Sequence, residues 1–411
     1  MNLFHKKIIL ILLCAVLLGG SFYGGTKFEK SRNDTTVEEI VTQIVNKENE
    51  KPAGIDFGIF WTALSKLEEK FVDQEKLEDK RKLVYGAVEG MVNSLDDPYT
   101  VFLEPQESKK FEEQINGSFG GVGIEIGIRK NVLTVIAPIK DTPAAKAGML
   151  AGDVITKIND KDTSDITIDE AVTQIRGKKR TNVKLTVQRN DLKDPKEFNL
   201  TREEIKVPTI EWKMLEGNVA HIQLFSFNRN IDTDFAKTAK EVLASDAEKI
   251  ILDLRNNPGG LLDSSVSIAG WFLEPNKTVV SEKFADKTET ILKTAGNAQL
   301  KKYPLVIIIN KGSASASEIL AGALRDNRGV KIIGETSFGK GSVQELVELT
   351  IDGKKSTLKI TIAKWFTPSG ISISDNGIKP DFEVKKEEKE DEETPDKDKD
   401  PQLEKALEVI K

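Results

Sequence analysis

Between residues 207 and 384, short runs of consecutive apolar residues alternate with glycine-rich loops and helical patterns. The apolar runs occupy Lys249–Leu254, Leu305–Ile309 and Lys331–Gly334, and helices are predicted at Leu262–Phe272 and Ser317–Arg325. A strand that is apolar along its whole length, rather than at every second position, is typical of a parallel sheet covered on both faces. This part of the chain is therefore predicted to fold as an α/β core.

The rest of the chain must form further domains, because 411 residues are more than one hydrophobic core usually holds. From Ile55 to Asn93, apolar side chains recur at every third or fourth position, which predicts two amphipathic helices, and Asp96-Asp97-Pro98-Tyr99 is a turn. The N-terminal helical region is predicted to span residues 55–116. Residues 117–195 contain strand-like runs with one helical pattern, and the core covers 196–384. The predicted fold class is multidomain α/β, with a β-rich unit inserted before the core.

The two ends of the chain differ from these domains. Residues 26–54 are a polar linker, and 385–400 are almost wholly charged, which predicts a disordered linker. Residues 401–411 have the apolar spacing of one short amphipathic helix. The sequence leaves open whether this helix docks on its own chain or on a partner, and whether the protein forms a homo-oligomer.

The first 25 residues have the pattern of a signal sequence or a single membrane anchor. Lys6-Lys7 precede an apolar run that extends to Gly25, and its length favours an uncleaved anchor. We therefore expect a cell-membrane protein whose remaining domains lie outside the cytoplasm. Cys14, the only cysteine, lies inside the apolar run, so the exported part has no disulfide and no cysteine metal site.

Charge and histidine content narrow the classes of function. The net charge is −6, with 60 basic and 66 acidic residues interspersed, so no basic face for nucleic acid is expected. The only histidines are His5 and His221, which excludes a His-Glu-x-x-His zinc site and leaves His221 as the sole candidate for a histidine-based triad. No metal or cofactor is predicted, and a nucleophile here would use Lys, Asp or Glu as its base.

Three loops follow the predicted parallel strands, and chemistry in open α/β sheets collects at such loops. Arg255–Leu261 is rich in glycine, Asn310–Ile319 contains a Ser-Ala-Ser-Ala-Ser run at a helix start, and Thr336–Glu345 places Lys340 between two glycines. A helix start favours a developing negative charge, and a dehydrated lysine can act as a base. Taken singly, these loops also fit a helix cap and a surface turn.

In this order the loops resemble those of the C-terminal processing (tail-specific) peptidases. The matching motifs are Asp253-Leu-Arg-Asn-Asn-Pro-Gly-Gly260, Gly312-Ser-Ala-Ser-Ala-Ser-Glu318 and Phe338-Gly-Lys-Gly-Ser-Val-Gln344. The resemblance implies a crotonase-like (ClpP/crotonase-type) protease core. It also implies four roles at the site. Ser315 is the nucleophile, Lys340 the general base and Gln344 the support for the lysine, and the Ala316 N–H with that of Gly259 or Gly260 are the oxyanion donors.

The β-rich unit resembles a PDZ domain. Phe119-Gly-Gly-Val-Gly-Ile-Glu-Ile126 is similar to a carboxylate-binding loop and the groove strand that follows it. The resemblance implies that Gly121, Val122, Gly123 and Ile124 bind the C-terminus of a peptide that adds as a strand, with Thr167–Ile175 as the facing helix. Protein or peptide substrates with free C-termini are the expected partners.

Three functions compete on these observations. The first is a serine endopeptidase that cleaves extracytoplasmic proteins and recognises their C-terminal tails. The second is a non-catalytic PDZ scaffold on an inert crotonase-like body, and the third is a crotonase-type enzyme acting on acyl-CoA. Ser315, Lys340 and Gln344 together disfavour the scaffold, and export disfavours the acyl-CoA enzyme because its substrate is cytoplasmic.

Overall fold

The computed structural model describes residues 56–129, 132–189, 194–351, 353–374, 376–385 and 400–411. The predicted anchor at 1–25, the linker at 26–54 and nearly all of the charged linker lie outside these ranges. Within them, no helix is both long and apolar enough to cross a bilayer. Residues 56–87 and 350–354 belong to one compact unit, and the other described residues belong to a second.

The smaller unit is helical. Helix α1 spans Gly58–Lys70, a single 3₁₀ turn spans Gln74–Leu77, and α2 spans Lys80–Asn93, of which residues 88–93 are counted with the larger unit. The α1 helix has no buried residue, and Trp61 on it is 59% exposed. The apolar side chains whose spacing predicted α1 therefore remain largely exposed in this chain.

The β-rich unit is a sheet with two helices. After β1 (Val101–Leu103), α3 (Pro105–Asn116) and β2 (Ser118–Gly121), the unit contains the strands β3 (Ile124–Arg129), β4 (Val132–Pro138), β5 (Val154–Ile158), β6 (Lys161–Asp162), β7 (Asn182–Gln188) and β8 (Lys196–Thr201) and the helices α4 (Pro143–Lys146) and α5 (Ile168–Ile175). The sheet order is β3-β4-β5-β7-β8, and β6 pairs with β5. Its core is formed by side chains such as Leu133, Val135, Ile158 and Leu185. Strand β3 therefore lies at an edge of this sheet.

The α/β core contains a six-stranded sheet. Its strands are β10 (Ile210–Leu215), β11 (Val219–Leu224), β12 (Lys249–Asp253), β15 (Leu305–Ile309), β16 (Lys331–Gly334) and β19 (Phe382–Glu383), in the order β10-β11-β12-β15-β16-β19. All neighbouring pairs from β11 to β19 are parallel, and β10 is antiparallel to β11. The prediction of a parallel sheet from the continuous apolar runs is confirmed.

Helices cover this sheet on both faces. The helices α6 (Ile231–Ala244), α7 (Leu262–Phe272) and α8 (Ala316–Arg328) share a cluster with Ile250, Leu252 and Ile307. On the other face, the C-terminal helix α9 (Pro401–Val409) packs Ala406 on residues that include Ile251 and Ile308. Alternate residues of one strand thus point to opposite helical layers, and each buried isoleucine contributes about 1.5–3 kcal/mol. The helix that the sequence left without a docking site packs on its own chain.

The second sheet has five strands. Besides β1, it comprises β13 (Thr278–Phe284), β14 (Glu289–Lys293), β17 (Ser342–Ile351) and β18 (Lys354–Phe366). Its order is β1-β18-β13-β14, and β17 pairs with β18. A short ladder of β2 with β9 (Glu203–Lys206) completes the described strands. The long β17–β18 hairpin carries the residues that follow Lys340 and so determines what surrounds that lysine.

Candidate active site

The three loops lie together at one edge of the six-stranded sheet. Strand β12 pairs in register with β15, placing Asp253 opposite Ile308, and β15 pairs with β16, placing Ile309 opposite Gly334. The strands run parallel, so their carboxyl ends, and the loops that leave them, are neighbours. Direct bonds join the loops: the Ala314 N–H donates to the Asn257 carbonyl at 3.0 Å, and the Phe338 N–H to the Ser313 carbonyl at 2.9 Å.

The three serines of the second loop have different environments. The Ser313 hydroxyl donates to the Leu254 carbonyl at 2.8 Å, and the Ser317 hydroxyl donates to the Asn257 carbonyl at 2.9 Å. Both side chains are buried. Ser315 is only half-buried, and no hydrogen bond in the described part of the chain ties its hydroxyl to a main-chain carbonyl. Ser315 is therefore the serine of this run whose hydroxyl is left for chemistry.

The backbone at Ser315 is strained. Its φ is 55° and its ψ is −116°, a region that residues with a Cβ rarely occupy. Ser315 is the N-cap of α8, so the next residue, Ala316, begins the helix with an N–H that has no intrahelical acceptor. The bend thus places the hydroxyl beside a free donor at the positive end of a helix dipole.

The glycines of the first loop stand where no side chain fits, and Gly259 lies against Ser315. A methyl group on Gly259, whose φ is +95°, would lie 2.8 Å from Ser315 Cβ and 2.9 Å from the Ala316 nitrogen. A methyl group on Gly260, whose φ is +142°, would lie 2.2 Å from the Phe227 carbonyl oxygen. Neither position has room for a side chain, and at Gly259 the bare backbone lies against the candidate nucleophile.

The amides of the two glycines are not equivalent. The Gly259 N–H donates to Asn257 Oδ1 at 2.9 Å, whereas no hydrogen bond among the described residues uses the Gly260 N–H or the Ala316 N–H. Asn257 is fully buried and also donates from Nδ2 to the Leu224 carbonyl at 2.9 Å. Sequence reasoning passed over this asparagine, although its amide fixes the turn that leaves the Gly260 N–H unpaired.

Lys340 lies in the third loop with its side chain half-buried. Burial and the positive charge of Lys359 together lower the pKa of its ammonium to about 8, against the opposing effect of the Glu318 carboxylate. Lys340 Nζ lies 5.5 Å from the centre of the Tyr99 ring. No described hydrogen bond joins Lys340 Nζ to Ser315 Oγ; such contacts often tighten only when substrate is bound.

Glu318 connects the nucleophile loop to the lysine loop. Its buried carboxylate accepts hydrogen bonds from the N–H groups of Ser315 at 2.7 Å, Gly339 at 2.7 Å and Lys340 at 3.1 Å. The Ser337 hydroxyl donates to it at 2.5 Å. Burial raises the pKa of Glu318 despite these donors. The Ser-x-x-Glu spacing of a helix capping box was the sequence signal for this residue, and sequence reasoning missed it.

Gln344 lies on β17, four residues after Lys340 in the sequence, and its described contacts are with other residues. Its Nε2 donates to Ser342 Oγ at 2.8 Å and to Thr361 Oγ1 at 3.4 Å. The Lys340 backbone is held instead by Trp365, whose Nε1 donates to the Lys340 carbonyl at 2.9 Å. The role of Gln344 as support for the lysine stays a prediction.

His221 belongs to a separate network. Its Nε2 lies 3.0 Å from Asp253 Oδ2, and Asp253 is also bound by Arg255. Hydrogen bonds from His221 and Arg255 hold the pKa of the Asp253 carboxyl below its usual range, although burial opposes this. Within the described residues no hydrogen bond links His221 to Ser315, so the histidine is placed as a buried structural residue.

The PDZ-like loop leaves its amides available. The Val122 carbonyl accepts from the Ala144 N–H at 2.9 Å, and the Gly123 carbonyl accepts from the Ile139 N–H at 2.9 Å. No described hydrogen bond outside the strands uses the N–H of Val122 or Gly123. Strand β3 is an edge strand and contacts α5. The loop therefore lies at the end of the groove between β3 and α5, where the free edge of β3 is available to pair with a peptide strand.

One arginine joins this groove to the helix before it. Arg176, the residue after α5, lies with its guanidinium 3.7 Å from the centre of the Phe119 ring. The same guanidinium lies 3.6 Å from Glu113 on α3. Burial lowers the pKa of Arg176, and Glu113 opposes that shift. The start of the carboxylate-binding loop, the groove helix and α3 are therefore in direct contact.

The environment of Lys340 yields a prediction about pH. Replacing Lys359 by glutamine removes a positive charge near the base, so the pKa of Lys340 should rise, because its cation is then less disfavoured. Since a base acts only when deprotonated, the acidic limb of the rate profile should move to higher pH, by up to about one unit. Lys364→Gln, which changes an exposed lysine on the same strand, is the matched control. An unmoved limb in Lys359→Gln would contradict this electrostatic account.

Comparison with known proteins agrees with the geometry. Residues 218–384 match peptidase family S41, 134–189 match a PDZ domain, and 15–107 match the N-terminal domain of the activating protease CtpB. A solved S41 protease from Bacteroides fragilis aligns with 78% of this chain and 89% of its own, with a TM-score of 0.50 at 14% identity, which shows the fold alone. Fold and site thus define a multidomain α/β serine peptidase with a PDZ domain.

Two curated relatives specify the family. The carboxy-terminal-processing protease of Bartonella bacilliformis is 37% identical over 350 residues, which cover 84% of this chain and 79% of the relative. The carboxy-terminal processing protease CtpB of Bacillus subtilis is 33% identical over 392 residues, which cover 93% of this chain and 78% of the relative. The chain belongs to the carboxy-terminal processing proteases of peptidase family S41.

Proposed function

We propose that the protein is an endopeptidase that works through a Ser315–Lys340 dyad on a crotonase-like core. The observation that carries the proposal is the difference among the three serines of the second loop. Of these three serines, only Ser315 has a hydroxyl that donates to no main-chain carbonyl of the described residues. This hydroxyl lies beside the free Ala316 N–H. The lysine of the adjacent loop has a pKa of about 8, so a useful fraction is neutral near physiological pH.

In the proposed reaction, neutral Lys340 Nζ takes the proton of the Ser315 hydroxyl as Oγ attacks the carbonyl carbon of the scissile peptide bond. The resulting oxyanion accepts hydrogen bonds from the N–H groups of Ala316 and Gly260, because the Gly259 N–H is already used by Asn257. The lysine then gives its proton to the departing amine. Water, deprotonated by the same lysine, hydrolyses the acyl-enzyme and restores Ser315.

Two further groups hold the dyad in this scheme. Glu318 fixes the distance between the loops, because one carboxylate binds the backbone N–H of both Ser315 and Lys340. Gln344 is proposed to bind Lys340 Nζ once substrate excludes water. Its present bond to Thr361 Oγ1 is 3.4 Å long and therefore weak enough to exchange.

We further propose that the PDZ domain recognises the C-terminal tail of the substrate. The tail would pair with the edge strand β3, and its carboxylate would accept hydrogen bonds from the N–H groups of the loop at Gly121–Ile124. Binding of the tail would then be communicated to the core through Arg176, which contacts both Phe119 and Glu113. On this reading tail binding activates the enzyme.

The proposed place of action is outside the cytoplasm, on extracytoplasmic proteins, with residues 1–25 in the membrane. This proposal rests on the basic residues followed by an apolar run in that segment. Protease added to cells stripped of their outer wall should digest the catalytic domain. A domain that stays intact until the membrane is broken would reverse this topology.

The test of tail recognition is the variant Gly123→Val. Gly123 has a φ of +75°, and a Cβ there would lie 2.3 Å from Thr142 Cβ, so valine must displace the loop. We expect cleavage of an unfolded substrate with a free apolar C-terminus to fall at least about tenfold, since the carboxylate loses its N–H donors. Cleavage rates with tailed and amidated substrates measure the effect.

Gly148→Val is the matched control, because Gly148 has a similar φ of +82° but no atom within 4 Å of an added Cβ. If the PDZ domain controls activity, the Gly123→Val variant should cleave short peptides slowly even when a separate tail peptide is added. If the PDZ domain only binds substrates, the Gly123→Val variant should cleave short peptides at the wild-type rate. Equal activity of both glycine variants on tailed substrates would refute tail recognition by this loop.

A further inference from the structure

The C-terminal segment binds the loop that carries the candidate oxyanion donor. Arg255 Nη1 and Nη2 lie 2.8 Å from Asp400 Oδ1 and Oδ2, respectively, a bidentate arrangement of two parallel bonds. Arg255 Nη1 also donates to Gln402 Oε1 at 3.2 Å. Asp400 and Gln402 lie 145 and 147 residues after Arg255 in the sequence, so folding brings this distant segment to the loop.

Arg255 is held on its other side as well. Asp253, at the end of β12 and fully buried, accepts from Arg255 Nε at 2.9 Å and from Arg255 Nη2 at 2.6 Å. The guanidinium therefore lies between two carboxylates and is hydrogen-bonded to both. Arg255 begins the loop that ends in Gly259 and Gly260, so its orientation determines where that loop leaves the sheet.

The acidic partner from the C-terminal segment is itself fixed. Asp400 caps α9, where its Oδ1 accepts from the Leu403 N–H at 3.1 Å. Gln402 is buried, and its Nε2 donates to the Val384 carbonyl at 2.8 Å. Below these polar groups, Ala406 and Ile410 are buried against the face of the sheet that includes Ile251. Apolar packing docks the helix, and its first turn is directed at Arg255.

We propose that Asp400 and Gln402 are positioning residues for peptide-bond hydrolysis, which hold the Arg255–Gly260 loop so that the Gly260 N–H meets the oxyanion. The inference rests on the proposed function, because it assigns that N–H to the transition state. The Arg255–Asp400 pair is bidentate, a geometry that fixes the direction of the guanidinium as well as adding energy. The side chains of the first turn therefore have a task separate from the apolar docking of the helix.

The test uses the full-length protein with Asp400→Asn, Gln402→Leu and the double variant. Glu404→Gln is the matched control, because it neutralises an exposed carboxylate one turn along the same helix. For each protein, kcat and KM are measured on an unfolded substrate with an apolar tail. The affinity for a peptide aldehyde, which forms a tetrahedral adduct with the serine, is measured in parallel.

We expect the double variant to lose roughly tenfold in kcat, less than the loss of an oxyanion donor itself, with KM changed less than about twofold. Aldehyde affinity should fall by the same factor as kcat, because both depend on the tetrahedral geometry. A lowered melting temperature with unchanged kcat and aldehyde affinity would show a purely structural helix and overturn the inference. Should the double variant fail to fold, the same comparison is decided by Asp400→Asn alone.

A Ser315→Ala protein, run beside these variants, separates this inference from the proposed function. If cleavage persists without Ser315, the proposed function is wrong, and the inference falls with it. If cleavage requires Ser315 but is indifferent to Asp400 and Gln402, the inference alone is wrong.

Discussion

Replacement of Ser315 by alanine should reduce proteolysis by at least about 10⁴-fold, because the variant has no hydroxyl to form the acyl-enzyme. The fold should be retained, since no described hydrogen bond to a main-chain carbonyl depends on that hydroxyl. The strained backbone, with φ of 55°, persists in alanine. Ser315→Gly should be equally inactive and more stable by about 1 kcal/mol, as glycine adopts this conformation without strain. Cleavage assays and thermal unfolding measure both effects.

Ser313→Ala and Ser317→Ala are the matched controls for this prediction. Each removes a hydroxyl from the same run, but these hydroxyls donate to the Leu254 and Asn257 carbonyls. Both variants should lose about 1 kcal/mol of stability, because each loses one buried hydrogen bond, and both should still cut. Residual cleavage by Ser315→Ala equal to that of either control would place the nucleophile elsewhere.

Replacement of Lys340 by arginine should abolish activity almost as fully as removal of Ser315. The lysine acts as a base only in its neutral form, and its pKa of about 8 makes that form accessible. The pKa of a guanidinium is so high that arginine stays protonated, so no proton acceptor replaces the lysine. We expect a loss of about 10³-fold or more in kcat. Lys340→Met, neutral but without a base, should behave in the same way.

The wild-type pH profile belongs to the same prediction. Below pH 8 the lysine is increasingly protonated, so kcat/KM should rise with pH up to about 8 and level off above it. Lys311→Arg serves as the control, because Lys311 lies in the second loop with its side chain 79% exposed. An active Lys340→Arg enzyme, or a rate that does not change with pH between 6 and about 9, would remove the lysine from the mechanism.

The parts of the fold that the sequence predicts best are those in which burial dominates. The runs at Leu305–Ile309 and Lys331–Gly334 and the helix at Leu262–Phe272 have the bounds that their apolar patterns indicate. Each strand is covered on both faces and the helix is packed along one face. The hydrophobic pattern of a short stretch of sequence is therefore enough to identify each element. From parallel strands it then follows that the three loops meet at one edge.

The second sheet and the finer site geometry could not be predicted in this way. In β13, β14 and β18, polar and apolar residues mix, because partial exposure relaxes the constraint on each position. Which of Gly259 and Gly260 has a free N–H depends on the Asn257 side chain, a contact that no sequence period encodes. The link between Arg255 and Asp400 joins residues from distant parts of the chain, so only the folded structure could show it.

The most direct test of the central claim, that Lys340 activates Ser315, is the rate at which Ser315 is acylated at different pH values. A β-lactone reagent forms a stable ester with an activated serine, and mass spectrometry of the digested protein locates that ester. We predict one adduct, on the peptide containing Ser315, which forms at a rate that rises with pH through about 8 and is lost in Lys340→Met. An ester on another residue, or acylation of Ser315 that proceeds equally fast in Lys340→Met, would contradict the account.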